Sequence, residues 1–172
     1  MLTRRAFLRA SLWMPPTLLL AVGCSGSRPG VNAQLDHGPP AALGGTMTFT
    51  LTASSGWDAP DPNADSGMNL TAAQVYFRMT DGLVPLESQW DVNRLRDNMT
   101  IYSRQVVFQA KVPQTFEMEV RLDQPGEQRI AGVSQVTIGT APSTEQDSLF
   151  LLVSAIGTQI QDTPFTPTAY SS

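Results

Sequence analysis

Three reactive residue types are nearly missing from this chain: cysteine occurs once, at Cys24, histidine once, at His37, and lysine once, at Lys111. A single cysteine forms no internal disulfide. A single histidine, lying among Gly, Pro and Ser, leaves no folded partner for a Ser-His-Asp or Cys-His nucleophile. Zinc is equally short of ligands. Acids outnumber bases 15 to 11, and the bases never cluster, which excludes nucleic acid as a partner. No glycine-rich loop leads from a strand into a helix, so phosphate binding has no support. Glu117 and Glu119 share a strand face with Arg121, which reads as a solvated face rather than an acid/base pair. The expectation is a protein that is not an enzyme and holds no cofactor and no metal.

Long apolar runs are missing too. The longest, Leu12–Val22, is broken by Pro15 and Pro16 and falls short of the roughly 20 residues that cross a bilayer. Arg4, Arg5 and Arg9 precede it and small residues follow, the layout of a cleavable export signal over residues 1–23. "TRRAFLR" resembles a twin-arginine signal through Arg4 and Arg5, with general secretory export as the alternative. "LAVGC" resembles a bacterial lipobox, although Ala21 stands where leucine is usual. That pattern makes Cys24 the lipidated first residue of the mature chain, carrying palmitate-type acyl chains, and it explains the lone thiol. Several acyl chains hold a soluble domain on a membrane, at about 0.8 kcal/mol per buried CH₂. Ser25, where Asp would signal inner-membrane retention, favours the outer membrane with the domain facing the periplasm.

Loss of the signal removes three arginines and no acid, leaving eight bases against 15 acids, a net charge of −7. Residues 24–45 are rich in Gly, Pro, Ser and Ala and are expected to form a flexible tether. From residue 46 to 172 the pattern is β. "TMTFTLTA" alternates Met47, Phe49 and Leu51 with threonines, and "AQVYFRM" alternates Val75, Phe77 and Met79 with polar residues. "VVFQAKV" puts Val106, Phe108, Ala110 and Val112 on one face, and "FEMEVRL" does the same with Phe116, Met118, Val120 and Leu122. "RIAGVSQVTI" and "SLFLLVSAI" add two strands, the second apolar on both faces and therefore expected at the sheet centre. "DQPGEQ" is a turn. The chain is predicted to be mainly all-β, an antiparallel β-sandwich, with a short helical insertion at "PLESQWDVNRL" and an extended carboxyl-terminal tail.

One segment is too long for a hairpin, which needs about two to five residues. "SSGWDAPDPNADSGMNL" joins the first two strands and carries Trp57, Asp58, Asp61, Asn63 and Asp65. Asp61, Asn63 and Asp65 have calcium-loop spacing, but glycine comes one place late and Ala72 stands where a bidentate glutamate belongs. A plain polar loop and a stiff partner-binding loop both fit. In the second reading Trp57 is the apolar anchor, outside the core, so its truncation should spare folding.

The order of these features resembles the type VI secretion outer-membrane lipoproteins, the TssJ (SciN) family. The shared features are the lipobox cysteine, the tether, a strand ending "LTAS", the long Asn/Asp/Gly loop and "AQVYFRMTDG". The apparent helical insertion and "PGEQRIAGVSQV" follow in the same order. The resemblance implies a transthyretin-like sandwich without enzymatic activity. It also implies binding to the periplasmic carboxyl-terminal region of the inner-membrane protein TssM, largely through the loop at Ser54–Leu70. The rivals are a generic periplasmic lipoprotein sandwich binding a small ligand or calcium, and a pilotin-like chaperone of another envelope complex.

Overall fold

The computed structural model describes residues 30–61, 70–95 and 98–162. The elements are β1 (Val31–His37), β2 (Thr46–Ser55), β3 (Leu70–Thr80), β4 (Leu83–Pro85) and β5 (Asp91–Arg94). They continue with β6 (Met99–Gln105), β7 (Gln114–Leu122), β8 (Gly126–Ile138), β9 (Ala141–Ser154) and β10 (Gly157–Asp162). Two antiparallel sheets pack face to face, one ordered β1-β2-β7-β4 and the other β10-β9-β8-β3-β6-β5. The fold is a β-sandwich.

Alternation produces it. On β2, Met47, Phe49, Leu51 and Ala53 are buried and the threonines between them are not. Across the ladder Phe49 faces Met118 and Leu51 faces Phe116 on β7. On the facing sheet Val75, Phe77 and Met79 of β3 are fully buried. Each such side chain contributes about 1.5–3 kcal/mol by leaving water. The sheets are tightly packed at Gly132 of β8, where a Cβ would stand 2.8 Å from Leu51 Cδ1 and 3.2 Å from Leu35 Cδ1. Between β7 and β8 the chain crosses from one sheet to the other at Asp123–Pro125, and Gly126 takes the positive φ (96°) that glycine allows.

Four expectations change. Residues 24–45 are not all tether: Val31–His37 is an edge strand paired with β2 from Val31↔Ser55 to His37↔Phe49. Val31 and Leu35 are buried, a period-two pattern diluted by polar neighbours. The following turn is fastened as well, by Leu43 N–H to the Ser154 carbonyl (3.0 Å) and Thr158 Oγ1 to the Ala41 carbonyl (2.6 Å). His37 therefore lies on a strand, exposed, with Nδ1 2.8 Å from the Gly38 carbonyl.

"PLESQWDVNRL" holds no helix. Pro85 and Leu86 stay beside β7, Leu86 N–H bonding the Glu119 carbonyl at 2.9 Å, and Asp91–Arg94 pairs with β6. Only Trp90 of its expected apolar face is buried, while Leu86 and Val92 are exposed. Asp and Asn are weak helix formers, and sheet pairing decides the outcome.

"VVFQAKV" is the connection between β6 and β7, not a strand; Phe108 is buried but Val107 and Val112 are exposed. The strand lies just before it, in "MTIYSRQ", whose inward positions include Thr100, Tyr102 and Arg104 and so hide the alternation. Lastly, β9 is second from the edge rather than central, because "GTQIQD" forms β10 outside it. The tail beyond Asp162 lies outside the described residues.

Candidate functional site at the loop end of the sandwich

The β2–β3 connection meets the β6–β7 connection at one end of the sandwich. Ala59 and Phe108 exchange backbone hydrogen bonds of 3.0 and 2.7 Å. Lys111, at a φ of 62°, donates its N–H to the Ser55 carbonyl at 2.7 Å. Asp58 Oδ1 accepts the Ala110 N–H at 2.8 Å, and Asp61 N–H bonds the Leu70 carbonyl at 3.1 Å. Gln114 Nε2 donates to the Val107 carbonyl at 2.6 Å. Backbone groups that a free loop would leave to water are thus paired between two loops, which braces both.

The first strand enters here as well, since Gly56 N–H donates to the Gly30 carbonyl at 3.0 Å. The side of the molecule nearest Cys24 in sequence and the β2–β3 connection are therefore one end of the fold.

The expected loop residues divide. Trp57 is half-buried and packs on the core, its N–H bonded to Ser55 Oγ at 3.1 Å. It is a wall of the sandwich more than a projecting anchor, so its truncation should cost stability, contrary to the sequence expectation. Asp58 is exposed but braces the neighbouring loop. Asp61 is half-buried on the same connection. Asn63 and Asp65, and with them the calcium spacing, lie outside the described residues, as do Arg4, Arg5 and Cys24. Among the described residues no group of three or more His, Cys, Asp or Glu could hold a metal ion, and no helix is long and apolar enough to cross a membrane.

The sequence reading missed the apolar side chains that do project here: Val107 and Val112 are 69 % and 45 % exposed. Period-two spacing had turned Val112 inward. The signal that could have corrected this is Pro113, which cannot donate to a ladder and often bounds a strand.

Next to this end lies an open cleft of about 350 Å³ between the two sheets, with Trp90 and Arg104 on one wall and Thr115, Phe116 and Glu117 on the other. Trp90 is 5 % exposed, packs edge-on to Phe77 with ring centroids 5.3 Å apart, and its buried Nε1 has no hydrogen-bond partner. A second polar cleft of about 360 Å³ lies around Asp81, Gly82 and Gln128. There Thr100 Oγ1 donates to Asp81 Oδ1 at 3.0 Å. The one ion pair among the described residues, Arg121–Asp123 at 2.5 Å, is exposed. Its hydrogen bond and the arginine charge hold the Asp123 carboxyl below the usual range.

No family model matches the chain, and no curated protein is significantly similar to it.

Proposed function

We propose that this chain is a non-enzymatic lipoprotein, held by acyl chains on Cys24 at the periplasmic face of the outer membrane, whose loop end docks a protein partner. In its specific form, taken from the resemblance, the partner is the periplasmic carboxyl-terminal region of a TssM-like inner-membrane protein, and the role is to fasten a type VI secretion complex. One observation carries the docking reading: two mutually braced loops present exposed Val107 and Val112 at the end where the chain enters the sandwich. Pre-ordered loops lose little entropy on binding, and apolar side chains at the centre of a patch supply most of the affinity. The resemblance loses the helical insertion and part of the tether, where β1 forms, and keeps the lipobox sequence, the strands at "LTAS" and "AQVYFRM" and the long connection between them. Apolar contact accordingly moves from Trp57 to Val107 and Val112.

The test has two arms. Cys24→Ser should release the protein from the outer-membrane pellet, and Arg4→Lys with Arg5→Lys should block export if the twin-arginine route is used. The full chain in detergent should bind the TssM-like periplasmic region, and Val107→Asp with Val112→Asp should weaken that binding about 30-fold or more with little change in melting. Absence of wild-type binding overturns the type VI assignment. Unchanged binding by the double variant moves the contact elsewhere.

A further inference from the structure

The two edges of the four-stranded sheet differ in how they are closed. On the outer side of β1, the Leu35 N–H is already taken by Asp147 Oδ2 of β9, at 2.9 Å. On the outer side of β7, β4 covers only Val120–Leu122, and the Leu86 N–H reaches the Glu119 carbonyl. That last bond fixes which backbone groups face outward. Residues of an antiparallel strand point their N–H and C=O alternately to either side, so Glu117 and Thr115 share the direction of Glu119. Among the described residues no strand lies beside them there. Both line the cleft that Trp90 walls from the other sheet.

Three observations meet in this cleft. An unpaired strand edge offers donors and acceptors at strand spacing. Trp90 walls the cleft, and its indole N–H is buried without an acceptor, a state that costs free energy and that a carbonyl oxygen would relieve if the ring turned its N–H toward the cleft. Glu87 and Glu117 border the cleft with Arg104. Among the described residues none of the three is ion-paired, so two negative charges stand against one positive. Phe116 is half-buried at the inner side, and Glu117 points outward next to it.

We propose that this cleft accepts an extended segment of a partner protein as an added strand on β7. Its backbone pairs with Thr115 and Glu117, and one of its carbonyls accepts the Trp90 indole N–H as the ring turns toward it. Side chains alternate along such a strand. Those facing inward, beside Phe116 and Trp90, are apolar, and the one opposite Glu117 is lysine or arginine, since opposite charges across a strand pair attract and like charges repel. Main-chain bonds give the affinity and the alternate side chains give the specificity. This goes beyond the docking role proposed for the loop end, because it assigns a second surface and the chemistry of the segment that fills it.

The probes are two blocked pentapeptides, Thr-Val-Lys-Val-Thr and Thr-Val-Glu-Val-Thr, titrated into the full ¹⁵N-labelled chain in detergent micelles. The Trp90 indole resonance is assigned by its loss in Trp90→Phe. With the lysine peptide the Trp90 indole proton should move downfield, and the Thr115 and Glu117 amides should become protected from solvent exchange by at least about tenfold. The glutamate peptide should bind about fivefold more weakly, and Glu117→Lys, an exposed change, should reverse that order. Neither peptide perturbing Trp90 up to millimolar concentration overturns the proposal. So does equal binding of both peptides by wild type and Glu117→Lys. Perturbation confined to residues 56–61 and 106–113 also overturns it while leaving the loop-end docking reading standing. A cleft response from a chain that does not bind the TssM-like region has the opposite meaning.

Discussion

The two sheets turn unlike faces to the solvent. Outside the four-stranded sheet stand the β2 threonines and, on β7, Thr115, Glu117, Glu119 and Arg121, all polar. Outside the six-stranded sheet stand Tyr76 and Arg78 of β3, Val133 of β8, and Phe150 and Leu152 of β9. Val133 is 1 % exposed although it points away from the core. Its cross-strand neighbours are Tyr76 and Gln146, long side chains on both flanks. The Arg129 guanidinium lies 5.8 Å from the Phe150 ring centroid. A strand near the middle of a wide sheet has neighbours on both sides, so its outer face can be dried by polar residues with long stems. A narrow sheet with small outer threonines cannot do this. Outward positions on β2 and β7 therefore all keep contact with water, whereas in the six-stranded sheet an outward position can be buried.

The strongest way to break this comparison is to truncate one phenylalanine on each face. Phe49→Ala empties a fully buried site on β2 and should cost about 4 kcal/mol, lowering the melting midpoint by roughly ten degrees. Phe150→Ala on the outer face should cost only about 1 kcal/mol, the scale of a cation–π contact with partial burial. Equal losses in thermal melts would mean that the outer face of the six-stranded sheet is a second core.

Closer to the middle of the molecule, Gly132→Val adds methyls where Leu51 and Leu35 already approach to about contact distance. Overpacking there should cost about 2–3 kcal/mol, and denaturant midpoints would report it. A neutral result would show that the sheets can slide apart. Ser134, also inward on β8, is buried with its hydroxyl unpartnered. Ser134→Ala removes that unmet group and should raise stability by about 1 kcal/mol; a loss would mean that the hydroxyl has an acceptor after all.

The smallest effect concerns alkaline pH. Burial pushes the Tyr76 phenol above its ordinary value, with the Arg78 charge opposing. The proton is held more tightly in the folded chain, so this stability is complete below about pH 10. It is lost as pH rises through the folded value. Tyr76→Phe should flatten the alkaline limb of the stability profile and leave neutral pH almost untouched. An unchanged limb would show that the outer face at Tyr76 is wet.

Legibility in the sequence follows the same division. β2, β3 and β7 could be read directly because apolar and polar residues alternate and the outer positions carry threonine or charge. β8 and β9 were recognisable as strands, but Phe150 and Leu152 on the outer face suggested a central place that β9 does not have. β6 escaped because Thr100 and Arg104 occupy inward positions at the rim. β1 escaped because its two anchoring residues, Val31 and Leu35, are four apart in a polar setting. At the loop end the β2–β3 connection stood out by its length and by the residues it carries. Which of its side chains project could not be read, since Trp57 packs inward and Val107 and Val112 belong to a different connection. The Trp90 cleft was invisible, because it depends on β4 ending early and leaving β7 uncovered.

The bond from Leu35 to Asp147 has a mechanical consequence. From Cys24 to Gly30 a fully extended chain reaches about 20 Å, a short leash if Cys24 is fixed to a membrane. A partner gripping the loop end would pull against that leash from the same end of the sandwich. Tension would then fall on the Val31↔Ser55 pair first and peel β1 from β2 one rung at a time, instead of loading the whole ladder in shear. The peeling would run up the strand until it met Leu35, where the crack must also break a bond into the opposite sheet. Asp147 is in that sense a rip-stop, setting how far the first strand can yield before the sandwich itself bears the load.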